Sequence, residues 1–67
     1  MRLRGRELFD GYVSTQLNDP TLAGLPIGTH VFNLVSAAAE AHIPMLEVID
    51  EVGPIVPALT AARRARV

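Results

Sequence analysis

Residues Ser36–Gly53 read SAAAEAHIPMLEVIDEVG, and this stretch decides the fold. It holds the end of one helix, a tight corner at His42-Ile43-Pro44, and the start of another. The run Ala37-Ala38-Ala39 favours helix and is small enough for close helix–helix contact. His42 falls at the end of that helix. Pro44 suits the first turn of the next, where its missing N–H is harmless. Glu47 then lies in that first turn, where the helix dipole favours a carboxylate.

Beyond the corner, Met45, Ile49, Val52, Val56 and Leu59 recur at spacings of 4, 3, 4 and 3, a heptad-like seam. Gly53-Pro54 and then Pro57 interrupt it. A proline inside a straight helix removes a hydrogen bond and clashes one turn back, at about 3 kcal/mol. The pattern therefore predicts a kink or a stop near Gly53, and a final segment from Pro54 or Ile55 to Arg66. Whether 44–66 forms one kinked helix or two is open at this level.

Working toward the N-terminus, Val31, Leu34, Val35, Ala38 and Ala41 mark the buried side of the helix that enters the corner, widened by Phe32 and Ala39. Thr29 is its expected N-cap. Thr21–Gly28 (TLAGLPIG) reads as a loop lying over the core. It lacks the lysine and the preceding strand of a phosphate-binding loop. Asn18-Asp19-Pro20 ends an earlier amphipathic helix of about three turns. That helix starts near Gly5 and carries Phe9, Tyr12, Val13, Gln16 and Leu17 on one face, with Leu8 at its flank. The expectation is an all-α chain, a small bundle of three to four helices in one domain spanning 1–67, with 1–4 and 66–67 frayed.

Sixty-seven residues bury only about 60% of their unfolded surface, so a lone core is marginal. There is no cysteine, which removes disulfides and cysteine-based zinc sites from the usual compensations. Oligomerisation or regular helix packing remain. Ile55, Val56, Leu59 and Ala62 leave the last segment apolar on nearly every side. Larger exposed apolar patches mark interaction sites, so these residues are the expected interface of a homodimer, with another protein as a further partner. All six basic residues are arginine, a hint of a GC-rich bacterial source.

Net charge is −1, unevenly placed. The arginines lie at the two ends (2, 4, 6, 63, 64 and 66) and the acids between them. Arginines near a helix C-terminus suit its dipole. Spacing at the corner resembles a helix-turn-helix: Ala38, Ile43 and Val48 fit, while His42 replaces the usual glycine. Charge argues against DNA. The second helix shows an acidic face of Glu47, Asp50 and Glu51 and no cation, whereas base and phosphate contacts need Arg, Lys, Asn or Gln. The reading is a non-catalytic protein–protein interaction module, homodimeric, of the kind an antiactivator uses to bind a regulator. The alternative is a small DNA-binding transcriptional regulator using its tail arginines.

No catalytic constellation is apparent. His30 and His42 would point about 120° apart on one helix, and no HExxH motif occurs. Serine and threonine are present without a histidine-paired nucleophile motif, and so short a chain leaves little room for a pocket of about 300 Å³ or more. No cofactor or metal is expected. The uncharged stretch Pro20–Ala39 reaches spanning length but is broken by Pro20, Gly24, Pro26 and Gly28 and carries polar Thr29, His30 and Asn33. With no signal peptide apparent, the expectation is a soluble, cytoplasmic protein.

Two segments carry a family resemblance. Arg4-Gly5 followed by Leu8-Phe9, Tyr12-Val13 and Leu17, and the later AEAHIPMLEVIDEVGPIVPAL, resemble a set of short alphaproteobacterial proteins classed as a domain of unknown function. The resemblance spans about residues 4–62. It implies an alanine-rich helix, a corner and an acidic helix, and it carries over no catalytic or ligand residue. This chain departs from it at His42, where glycine is more usual, and at Gly53-Pro54 and Pro57.

Overall fold

The computed structural model describes residues 3–65. Those residues are helical without a strand. The helices are α1 (Arg4–Tyr12), α2 (Pro20–Ala23), α3 (Ile27–Glu40), α4 (Met45–Val52) and α5 (Ile55–Arg64), with a π-helical turn at Val13–Leu17 continuing α1. Of the frayed ends expected at 1–4 and 66–67, residues 1–2 and 66–67 lie outside the described range. Arg4 opens α1, and the Leu3 carbonyl accepts the Glu7 N–H at 2.9 Å to start it.

A wide turn follows Tyr12. Gly5, Phe9 and Tyr12 are buried on α1, and so are Val13 and Leu17 beyond it. A turn with i→i+5 bonding carries extra chain per revolution, and Leu17, four residues after Val13, stays inward at 3% exposure. The Thr15 hydroxyl donates to the Gly11 and Tyr12 carbonyls, at 2.9 and 3.3 Å, on the outer side of this turn.

Two expectations about the next segment are corrected. The stretch read as a loop contains α2, a single turn capped by Asp19, whose Oδ1 accepts the Thr21 N–H at 2.8 Å. Pro20 occupies its first position, where a fixed φ is pre-set for helix. Thr29 is not an N-cap either. α3 starts at Ile27 behind Pro26, and the Pro26 carbonyl accepts from Thr29 and His30.

α3 turns its face differently from the sequence expectation. His30, Leu34 and Ala38 are its buried residues, with Val31 half-buried, while Val35 and Ala41 are exposed. The helix then ends in a Schellman motif. The Ile43 N–H returns to the Ala38 carbonyl and the His42 N–H to the Ala39 carbonyl, with His42 at φ 59°. That left-handed position normally goes to glycine, which explains the glycine usual at this place in helix–corner–helix sequences.

At Gly53 the question of one helix or two is settled. Gly53 adopts φ 104° and its N–H closes α4 on the Ile49 carbonyl at 2.7 Å. Pro54 then caps α5. Pro57 falls in the first turn of α5, where backbone N–H groups have no intrahelical acceptor, so it breaks nothing. The heptad seam does not survive the break. α4 buries Val48 and leaves Ile49 at 40% exposure, and α5 buries Ile55 and Leu59 while Val56 stands at 53%. A restart of the helix resets the phase of its faces, so a repeat counted across Gly53 has no continuous surface.

The core joins Phe9, Tyr12, Val13, Leu17, Leu34, Val48, Ile55 and Leu59. Each fully buried aliphatic side chain contributes about 1.5–3 kcal/mol of transfer free energy. The most extensive packing between separate helices is α1 on α4, followed by α3 on α5. The corner therefore connects two layers, and α1 rather than α3 is the main neighbour of α4.

Candidate functional site

The acidic face foreseen on α4 meets α1 in the structure. Arg4 grips Glu47 with two bonds, Nη2 to Oε1 at 2.7 Å and Nε to Oε2 at 3.0 Å. The Arg6 backbone N–H donates to Glu51 Oε1 at 3.0 Å. Two of the three carboxylates thus hold the first turn of α1, where an anion also suits the helix dipole. Asp50 is exposed. Hydrogen bonding to Arg4 is the main reason the Glu47 carboxyl sits below the ordinary carboxylate range, with partial desolvation working the other way. The pair was not foreseeable from spacing, because 43 residues separate its members.

The arginines at the two ends are not equally available. Arg4 is committed to Glu47, and Arg6 Nε lies 3.9 Å from Asp10 Oδ2 within α1. Arg63 Nη1 donates to the Leu25 carbonyl at 3.0 Å, tying α5 to the segment before α3. Arg64 is exposed, and Arg2 and Arg66 lie outside the described residues.

His30 is the buried polar group the sequence reading passed over. It has no exposed surface, and its Nδ1 lies 2.7 Å from the Tyr12 hydroxyl. The two rings meet edge to face at 5.9 Å between centroids. His30 Nε2 has no partner among the described residues. Burial pushes the Tyr12 phenol up, with the Asn33 side chain acting in the opposite sense. The signal available in the sequence was the spacing of His30, Leu34 and Ala38, which places the imidazole on the apolar face. The pair crosses from α1 to α3 and holds them in register. His42 is exposed at the corner, so the two histidines do not act together.

An open groove of about 310 Å³ lies beside the corner, lined by Arg4, Glu7, Leu8, Ala41 and Ile43. It is larger than the chain length suggested. Its guanidinium is already bound to Glu47, and no histidine, serine or threonine lines it. Among the described residues, no three His, Asp or Glu side chains come together as metal ligands. No helix of these residues is long and apolar enough to cross a membrane.

The four interface residues expected on the last segment are placed unequally. Ile55 and Leu59 belong to the chain's own core, Ala62 is half-buried against it, and Val56 is open. α3 and the π turn pack over one side of this helix, and Val56, Pro57 and Ala61 remain exposed on the other. Besides Val56, at 53% exposure, large apolar groups are left open on α3 and α4. Phe32 is 70% and Leu46 74% exposed, with Val35 and Ile49 beside them in sequence at about 40%. Comparison with protein-family models, with curated proteins and with solved structures finds no match for this chain.

Proposed function

We propose that this protein is a non-catalytic helical interaction module that assembles with itself through apolar side chains its own core leaves open. The observation that carries the reading is the pairing of exposed residues one turn apart, Phe32 with Val35 on α3 and Leu46 with Ile49 on α4. Side chains three apart on a helix are neighbours at about 5–6 Å, so each pair forms a continuous apolar surface rather than a scattered residue. Single exposed apolar residues are ordinary, while contiguous ones mark contacts with other molecules.

The commitment of Arg4, Glu47 and Glu51 to internal contacts supports the same reading. Those charges hold α1 on α4, and their exposed remainder offers little to a charged ligand. The resemblance to alphaproteobacterial proteins of unknown function carries no functional residue to this chain, so the proposal rests on the open side chains.

Sedimentation velocity over a wide concentration series tests the proposal. The expected result is reversible conversion of a monomer into a dimer as concentration rises. A single monomer species up to millimolar concentration overturns self-association.

A further inference from the structure

The outward side of α3 carries Gly28, Phe32, Val35 and Ala39, spaced 4, 3 and 4. That repeat keeps one face of a helix toward a partner helix. All four residues are exposed. At 100° per residue the stripe lies about 130° round the helix from the buried face of His30, Leu34 and Ala38. It is a second apolar face, separate from the core.

We propose that this stripe is the seam of a two-fold symmetric homodimer in which two copies of α3 run antiparallel. The inference rests on the self-association proposed above and names its surface and geometry. Under an antiparallel two-fold, Phe32 of each copy meets Val35 of the other, and Gly28 of each meets Ala39 of the other. Large side chains then face each other at the centre, and small ones at both ends let the helices close. Such self-complementarity is what an isologous interface requires.

Charge selects the second copy as occupant and the antiparallel sense. Ile27–Ala39 contains no charged residue, so two copies of this face meet without like-charge repulsion. By contrast, α1 carries Arg6, Glu7 and Asp10, and α4 exposes Asp50. Antiparallel docking sets the C-terminal end of each α3 beside the N-terminal end of its partner, where the helix dipoles attract, while parallel docking aligns them.

Gly28 fits the same picture. A Cβ built there meets nothing within 4 Å, so the chain's own packing does not call for a glycine, while a helix crossing at that point does. The stripe is about 18 Å long. Its footprint falls below the roughly 800 Å² per partner of a standard interface, which places the dimer in the weak, concentration-dependent class.

The test is sedimentation velocity on the wild-type chain and on Phe32→Asp, Val35→Asp, Leu46→Asp and Val56→Asp, each checked for helix content by circular dichroism. Phe32→Asp and Val35→Asp are expected to weaken the dimer about a hundredfold or more, since each substitution occurs twice in the seam. Leu46→Asp and Val56→Asp are expected to leave it within a few-fold. A dimer that survives the α3 substitutions and yields to Val56→Asp or Leu46→Asp overturns this seam while self-association stands. A wild-type monomer at every concentration overturns both and leaves the stripe to a different protein. Orientation is read by thiol cross-linking, because the chain has no native cysteine. A mixture of Phe32→Cys and Val35→Cys chains is expected to yield the mixed cross-linked dimer in preference to either chain with itself. Preferential self-cross-linking of Phe32→Cys overturns the antiparallel arrangement.

Discussion

Gly5 and Val48 bring α1 and α4 into backbone contact. A Cβ on residue 5 would lie 2.7 Å from the Val48 Cα and 2.9 Å from its nitrogen. No real Cβ tolerates that approach, and the opposing atoms are backbone that cannot swing aside. Glycine at position 5 is therefore what allows Arg4 to reach Glu47 and the Arg6 N–H to reach Glu51.

Gly5→Ala is expected to force the two helices apart. Overpacking of this kind costs about 1–3 kcal/mol, set against a helix-propensity gain of about 1 kcal/mol. Because the clashing atoms are backbone, the cost falls toward the upper end of that range and the net expectation is a loss of about 1–2 kcal/mol in thermal unfolding, where about 1 kcal/mol moves the midpoint by roughly 4–8 °C in a domain of this size. Gly11→Ala is the control. No atom approaches within 4 Å there, so that variant is expected to hold or raise the midpoint.

Removing the Tyr12 hydroxyl leaves a buried imidazole with neither nitrogen bonded among the described residues. Tyr12→Phe is expected to destabilise by about 1–3 kcal/mol, the desolvation cost of a stranded polar group. Tyr12→Phe combined with His30→Leu is expected to lose less than the sum of the single changes. A double-mutant cycle by urea denaturation measures that coupling. An additive result contradicts a direct Tyr12–His30 bond.

His42 holds a left-handed backbone that costs an ordinary residue about 1–2 kcal/mol. His42→Gly is expected to stabilise the chain by about 0.5–1 kcal/mol once the greater freedom of glycine in the unfolded state is subtracted. His42→Val, β-branched, is expected to destabilise it. Chemical denaturation at pH 7 checks both, and a neutral glycine variant contradicts the Schellman geometry.

The Arg4–Glu47 pair links stability to pH. The Glu47 carboxyl is depressed in the folded chain by its hydrogen bond to Arg4. Its contribution is present above the ordinary carboxylate range and is lost as pH falls through the lower folded value. Stability followed from pH 7 into the acid range is expected to decline less steeply in Glu47→Gln than in the wild-type chain. Equal slopes contradict a working ion pair.

Much of the secondary structure was legible in order. The periodic runs around Phe9–Leu17 and Val31–Ala38 mark helices, Pro20, Pro44 and Pro54 mark their boundaries, and Gly53 marks a break, whereas the close approach at Gly5 left no sign in the sequence. The elements missed are short. The π turn at Val13–Leu17 leaves no mark in the spacing, since Leu17 falls on the same face as Val13 in a regular helix, and α2 forms because Asp19 caps a single turn that propensity alone does not announce.

Which face of each helix meets which neighbour was decided by tertiary structure. The break at Gly53 resets the helical phase, so Ile55 and Leu59 turn into the core while Val56 turns out, and the interface expected there moves in the proposed reading to α3. Glu47 and Glu51 look like a solvated acidic face in one dimension. They become the anchor of α1 because Gly5 brings Arg4 and Arg6 across 43 and 45 residues of sequence. Local patterning by itself determined that this chain is helical and where its helices change direction. Only the close approach of distant backbones decided which charges are used internally and which apolar residues stay open.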